Sequence, residues 1–164
     1  MDGRRPSTER GANLVEFALV APILILLLFG IIDFGWAFSQ NVDLKHAARE
    51  GSRLAAVNAG TGADPAARRD DLIAEIQARA TQLADAETAI FVALQDDDGD
   101  GDFGERGESV VVCMRYPLRS LSGIIDEFLS GDMTTKAIMR MEQVASFSSG
   151  GTTSPPWGGA TCTM

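Results

Sequence analysis

The chain has 164 residues, 45% of them hydrophobic, and a formal net charge of −9. That length holds one domain and an anchor, not two full domains. An acidic body excludes nucleic-acid binding, which needs a basic patch, and suits an exported domain or one that meets cations. The charge is uneven. Residues 1–11 hold Arg4, Arg5 and Arg10 against Asp2 and Glu9, so the excess of acids lies beyond them.

From Phe17 to Ile32 no side chain is charged, and Ile23–Phe29 is an unbroken apolar block. As a helix rising about 1.5 Å per residue, Leu14–Phe38 measures about 37 Å. That crosses a hydrocarbon core of roughly 30 Å. Trp36 and Phe38 fall where an interfacial aromatic belt would sit. Glu16 and Asp33 stand near the two ends, and Asp33 reads as a carboxylate snorkelling to the interface. Lys45, Arg49 and Arg53 follow the span as Arg4, Arg5 and Arg10 precede it, so the positive-inside rule does not settle orientation. A removed signal peptide is a competing reading, with Ala37-Phe38-Ser39 as a weak cut site. Against it, the apolar run is long, contains Pro22 and continues as a helix.

Beyond the span, Ala47, Gly51 and Ala55 recur at i, i+4, i+8, as do Ala48, Ser52 and Ala56. Such a stripe of small residues lets another helix or a sheet approach closely. One long helix is therefore predicted over Ala12–Asn58, ended by Gly60-Thr61-Gly62-Ala63. Asp64 and Pro65 restart the chain as N-cap and first residue of a second, amphipathic helix over Ala66–Ala84, with Leu72, Ile76, Ala80 and Leu83 on its apolar face. Strand-like runs follow at Thr88–Leu94, Ser109–Tyr116 and, more weakly, Thr134–Ser146. Leu121–Leu129 suits a short helix, and residues 150–164 read as a flexible tail. The fold class is α+β: a long N-terminal transmembrane helix continuing outward, a second amphipathic helix, and an antiparallel sheet of about three strands. So small a sheet needs the helices as cover.

Two cysteines, Cys113 and Cys162, are too few for a disulfide scaffold or a Cys-rich zinc site. In an exported domain they are most simply one disulfide, the alternative being two unrelated free thiols. The bridge would close about 48 residues, for roughly 4 kcal/mol in the loop-entropy picture. Between the first two strands lies Asp96-Asp97-Asp98-Gly99-Asp100-Gly101-Asp102-Phe103-Gly104-Glu105-Arg106-Gly107-Glu108. Asp96, Asp98, Asp100 and Gly101 fit the first half of an EF-hand calcium loop, and Asp102 would offer its carbonyl. The twelfth position is Gly107, with Glu108 one residue late and Glu105 as an alternative. Two readings stay open: a weak extracellular calcium site, or a solvated acidic hairpin loop. No catalytic set emerges. His46 is the only histidine, and Gly99-Asp100-Gly101 has the wrong charge for a phosphate loop.

Gly11, four residues, then Glu16 and an apolar run headed by Phe17 resembles the leader junction of type IV prepilins. More closely, Arg10-Gly11-Ala12-Asn13-Leu14-Val15-Glu16-Phe17-Ala18-Leu19-Val20-Ala21-Pro22 resembles the TadE-like family of pilin-like proteins of the tight-adherence (Flp pilus) machinery. Gly30-Ile31-Ile32-Asp33-Phe34-Gly35 and Ala47–Ala56 resemble its further signatures, and the resemblance covers about residues 9–57.

The resemblance implies a prepilin peptidase that cuts between Gly11 and Ala12, leaving a cytoplasmic leader of residues 1–11. It implies a single pass through a bacterial cytoplasmic membrane over residues 12–38 and an extracytoplasmic domain over 39–149. Glu16 would neutralise the Ala12 amine of a neighbouring subunit. Partners would be the peptidase, other pilin-like subunits and inner-membrane assembly proteins, with a cell-surface filament as one destination. The residues themselves agree. A carboxylate one helical turn from a new N-terminus is favoured by the dipole, and charges in lipid are tolerated when paired. The rivals are an uncleaved single-pass protein whose outer domain binds calcium or another ligand, and a soluble domain released at Ser39.

Overall fold

In the computed structural model, residues 8–81, 83, 87–123 and 131–152 are described. The first element, α1, runs unbroken over Thr8–Ala56 and passes through Pro22. Its two halves have different surroundings. From Leu14 to Ile32 the large apolar side chains are exposed, save Phe29, which is half-buried. From Asp33 onward one face is covered, by way of Asp33, Ala37, Gln40, Leu44, Ala47, Ala48, Ser52, Ala55 and Ala56. The stripe of small residues is thus the packing face of the outer half. Gly51 shows how tight the approach is, since a Cβ there would stand 2.8 Å from Ile76.

The long helix ends earlier than the Gly60–Ala63 segment, and for a different reason. Asn58 takes a left-handed conformation with φ 58°. The Asn58 and Ala59 amides donate back to the Ala55 and Leu54 carbonyls at 3.0 and 3.1 Å. This is a Schellman stop with Asn in place of Gly. Next comes α2, Pro65–Gln77, capped by Asp64, whose carboxylate accepts from the Ala66 and Ala67 amides, both at 2.9 Å. The helix is shorter than its apolar pattern suggested. Beyond Gln77 the bonds tighten to three-residue turns, Arg79 to Ile76 and Ala80 to Gln77, which still bring Ala80 and Leu83 into the core. Ala84 lies outside the described residues.

The sheet is antiparallel, in the order β3-β2-β1-β4, with β1 over Ala89–Leu94, β2 over Ser109–Pro117, β3 over Asp132–Arg140 and β4 over Gly150–Gly151. It has four strands rather than about three, because Gly150 and Gly151, at the start of the segment read as a tail, pair with Val92 and Phe91. Residues 153–164 lie outside the described ones. The third strand stops at Arg140, short of Ser146. Residues 141–146 turn away to bind the end of α1, with the Asn58 side chain accepting from the Ser146 amide at 2.9 Å. Of the short helix expected over Leu121–Leu129, residues 124–130 fall outside the described residues.

Ile90 and Val92 of β1, Val110, Val112, Met114 and Tyr116 of β2, and Met133 of β3 point to one face. They meet Leu44, Ala47, Ala48 and Ala55 of α1 and Leu72, Ile73 and Ile76 of α2 there. The period of two along each strand and the small-residue stripe on the helix produce a single core. The sheet therefore lies against the outer half of α1, with β2 ending at Pro117 beside the lipid-like half and starting at Ser109 at the far end.

Candidate functional site

Three groups of residues stood out in the sequence, and the structure distributes them along the length of the molecule. The first is the apolar half of α1. Ala12, Glu16 and Phe17 are exposed on it, with Ala12 and Glu16 one turn apart. Side chains of residues 1–10 are not described. The 46-residue stretch Gly11–Ala56 is long and apolar enough to cross a membrane, and the most apolar window within it has no residue buried inside the protein. A helix apolar on every side and covered by nothing is matched to lipid rather than to a soluble core.

The second is the acidic loop, 95–108. Its chain reversals use Gly99, Gly101, Gly104 and Gly107, all at positive φ. The loop is organised by its own carboxylates. Asp96 accepts from the Gly99 and Gly101 amides at 2.6 and 3.0 Å, and Asp100 from the Asp102 amide at 2.9 Å. Glu108, only 5% exposed, accepts from the Glu105 amide at 2.7 Å and the Asp97 amide at 3.2 Å, closing the loop's base.

Asp96, Asp98 and Glu108 each bring a carboxylate oxygen within 4.8 Å of the other two. Asp100, Asp102 and Glu105 do not join that group. Of the two alternatives for the late EF-hand ligand, Glu108 is the residue brought to the cluster. Hydrogen bonds from Gly99 and then Gly101 hold Asp96 below its ordinary pKa. On Asp98 the Asp100 amide pulls the pKa down, but burial and the charges of Asp100, Asp96 and Glu108 outweigh it and leave it raised. Glu105 is raised chiefly by the charge of Asp100, then by burial and by Asp102, Glu108 and Asp98.

The third is the cysteine pair. Cys113 is buried on β2, on the face opposite the helices, and no cysteine among the described residues is a free thiol. Cys162 lies outside the described residues. His46 is exposed and lines an open groove with Arg49, Glu50, Arg53 and Arg79, where Glu50 ties α1 to the turn after α2 through Arg79 at 3.7 Å. The Arg53 hydrogen bond is the main cause holding Glu50 below its usual range.

One residue has a role that the sequence did not suggest. Asp33 does not snorkel; it is 0% exposed. Its Oδ1 accepts from the Leu121 amide at 3.0 Å and the Ser122 amide at 2.8 Å, and its Oδ2 from the Ser122 hydroxyl. The turn after β2 is thereby fastened to the outer end of the apolar helix. The available signal was a general one, that an ionisable residue at the edge of an apolar run needs a partner. The partner lies 88 residues on, out of reach of any local pattern.

Compared with known proteins, the chain matches the family model described as TadE-like protein over residues 11–53. The match takes in Gly11, Glu16, Asp33 and most of the small-residue stripe, and leaves out α2 and the sheet. The likeness to TadE-like proteins is therefore one of the N-terminal helix. No curated protein and no solved structure matches the chain.

Proposed function

We propose that this is a pilin-like subunit of the tight-adherence machinery, cut after Gly11 by a prepilin peptidase and held in a bacterial cytoplasmic membrane by residues 12–38. Its domain, 39–149, then lies outside the cytoplasm. The observation that carries this reading is Glu16, a lone carboxylate on an uncovered apolar helix, one turn from Ala12 and within the TadE-like match. After the cut, the Ala12 amine of a neighbouring copy is the cation of matching depth. Pairing the two charges removes the cost of leaving either alone in lipid. The role is one of structure and assembly rather than catalysis. Other pilin-like subunits and membrane assembly proteins are the partners that this surface suits, and a short filament is a destination for it.

Cys113 and Cys162 form the disulfide of the exported domain in this reading, tying the C-terminal residues to β2. A second reading concerns the distal loop, where the proximity of Asp96, Asp98 and Glu108 favours a weak calcium site.

The test is the mature N-terminus, measured by mass spectrometry on protein from its native membrane. A chain beginning at Ala12 is expected, with Gly11→Ala blocking the cut and Glu16→Ala leaving the cut intact but impairing assembly. A chain beginning at Met1 would leave a plain anchor, and one beginning at Gln40 a secreted domain. Either would end the pilin-like reading.

A further inference from the structure

We infer that the turn after β2, Leu118–Gly123, is a second membrane contact, inserted into the interface beside α1. The inference rests on α1 crossing the bilayer. Depth is the first argument. Side chains on a helix lean toward its N-terminus, so the Asp33 carboxylate sits at or below the level of its own Cα. Leu121 and Ser122 are bonded directly to that carboxylate and share its depth. Phe34, Trp36 and Phe38 are exposed and lie farther out along the same helix. Phe38 is five residues on, about 7.5 Å farther from the bilayer centre. If those aromatics mark the headgroup belt, Leu121 lies at or beneath it.

Chemistry is the second argument. Backbone amides entering lipid must be satisfied inside the protein, and a carboxylate there must find donors. The Asp33 bonds meet both needs at once. The carboxylate gains three donors, and the amides of Leu121 and Ser122 gain an acceptor. The Gly123 amide is taken by the Ser120 hydroxyl at 2.8 Å.

With these amides satisfied within the protein, the turn leaves Leu121 59% exposed next to residues bonded to the apolar helix. Arg119 is paired with Glu87 at 2.7 Å, so its charge is met within the protein. Continuity with the lipid-facing half of α1 identifies the occupant of this surface as lipid.

The experiment uses the full chain in phosphatidylcholine vesicles, with Trp36→Phe and Trp157→Phe to remove native emission. Tryptophan is placed at Leu121, at Arg119 as a second reporter, or at Leu26 as a marker of the span. Lipids brominated near the headgroup should quench most of the Leu121→Trp emission, while aqueous iodide should do little. Arg119→Trp should be shallower, and Leu26→Trp should respond to bromines near the chain ends. Iodide quenching of both Leu121→Trp and Arg119→Trp, with Leu26→Trp still quenched from within the bilayer, overturns the inference and leaves the anchor standing. Shielding of Leu121→Trp from both quenchers that fades as lipid is added in excess would mean that a second copy covers the turn, and also overturns it. If Leu26→Trp is not quenched by lipid, the anchor and the inference fall together.

Discussion

Asp33 and the 95–108 loop lie beyond opposite ends of β2, and both concern buried or crowded carboxylates. At one end a single carboxylate is enclosed and meets three donors from a turn distant in sequence. At the other, several carboxylates share a short exposed loop, satisfied mostly by amides from two to five residues away and raised or lowered by one another's charge. The conspicuous cluster shapes only itself. The inconspicuous residue joins the apolar helix to the sheet domain. A buried donor or acceptor without a partner costs more than a satisfied one gives, so number of charges is a poor guide to structural weight.

The largest effect is expected at Asp33. Asp33→Ala strands two amides and a hydroxyl and should cost about 3 kcal/mol in thermal or denaturant unfolding. Asp33→Asn, which keeps an acceptor oxygen, should cost about 1 kcal/mol. If the two variants unfold alike, hydrogen bonding is not what holds the turn. Glu108→Ala comes next, at about 1–2 kcal/mol, because water can replace its carboxylate at the Asp97 and Glu105 amides more easily than at Asp33. A loss equal to that of Asp33→Ala would erase the contrast between the two ends.

Calcium sharpens the comparison. At ten times its dissociation constant a single ion should stabilise the fold by about 1.4 kcal/mol. The gain should vanish in Asp98→Asn and be indifferent to Asp100→Asn, and calorimetry with and without a chelator decides it. The smallest effect comes from neutralising the repelling acids. Asp98 and Glu105 have raised pKa values, so their ionisation opposes the folded loop. The stability they withhold is lost as pH climbs from the ordinary carboxylate value through the raised one. Asp98→Asn and Glu105→Gln should therefore raise Tm slightly, by about 1 °C at neutral pH without calcium. The gain should disappear in acid where the parent is protonated too. Asp96 has the opposite sign, its support present at neutral pH and fading as pH falls through its lowered value.

Much of this architecture is written locally. The apolar run, the i, i+4 stripe of Ala47, Gly51 and Ala55, the Asp64-Pro65 cap and the Val-rich run Ser109–Tyr116 each declare an element through a local signal that needs no distant partner. What stayed hidden depends on partners elsewhere. Strand β4 is two glycines, with no side-chain pattern to mark it, and forms through backbone pairing with β1. Asn58 stops α1 because the 142–146 segment holds its side chain. In the acidic loop the residue types were legible, but not which of them converge. Asp100 and Asp102 spend their geometry on turns, and Glu108 is drawn in by the amides of Asp97 and Glu105.

The unbroken course of α1 has a mechanical consequence. From Asp33 to Ala56 the helix is both the top of the span and the spine of the domain, with no joint between them. That outer segment is a lever about 36 Å long, and a tilt of about 10° at the membrane would swing its far end by about 6 Å. In the proposed reading, a neighbour that leans on the apolar half therefore steers the acidic tip, with Pro22 as the natural place for the shaft to flex.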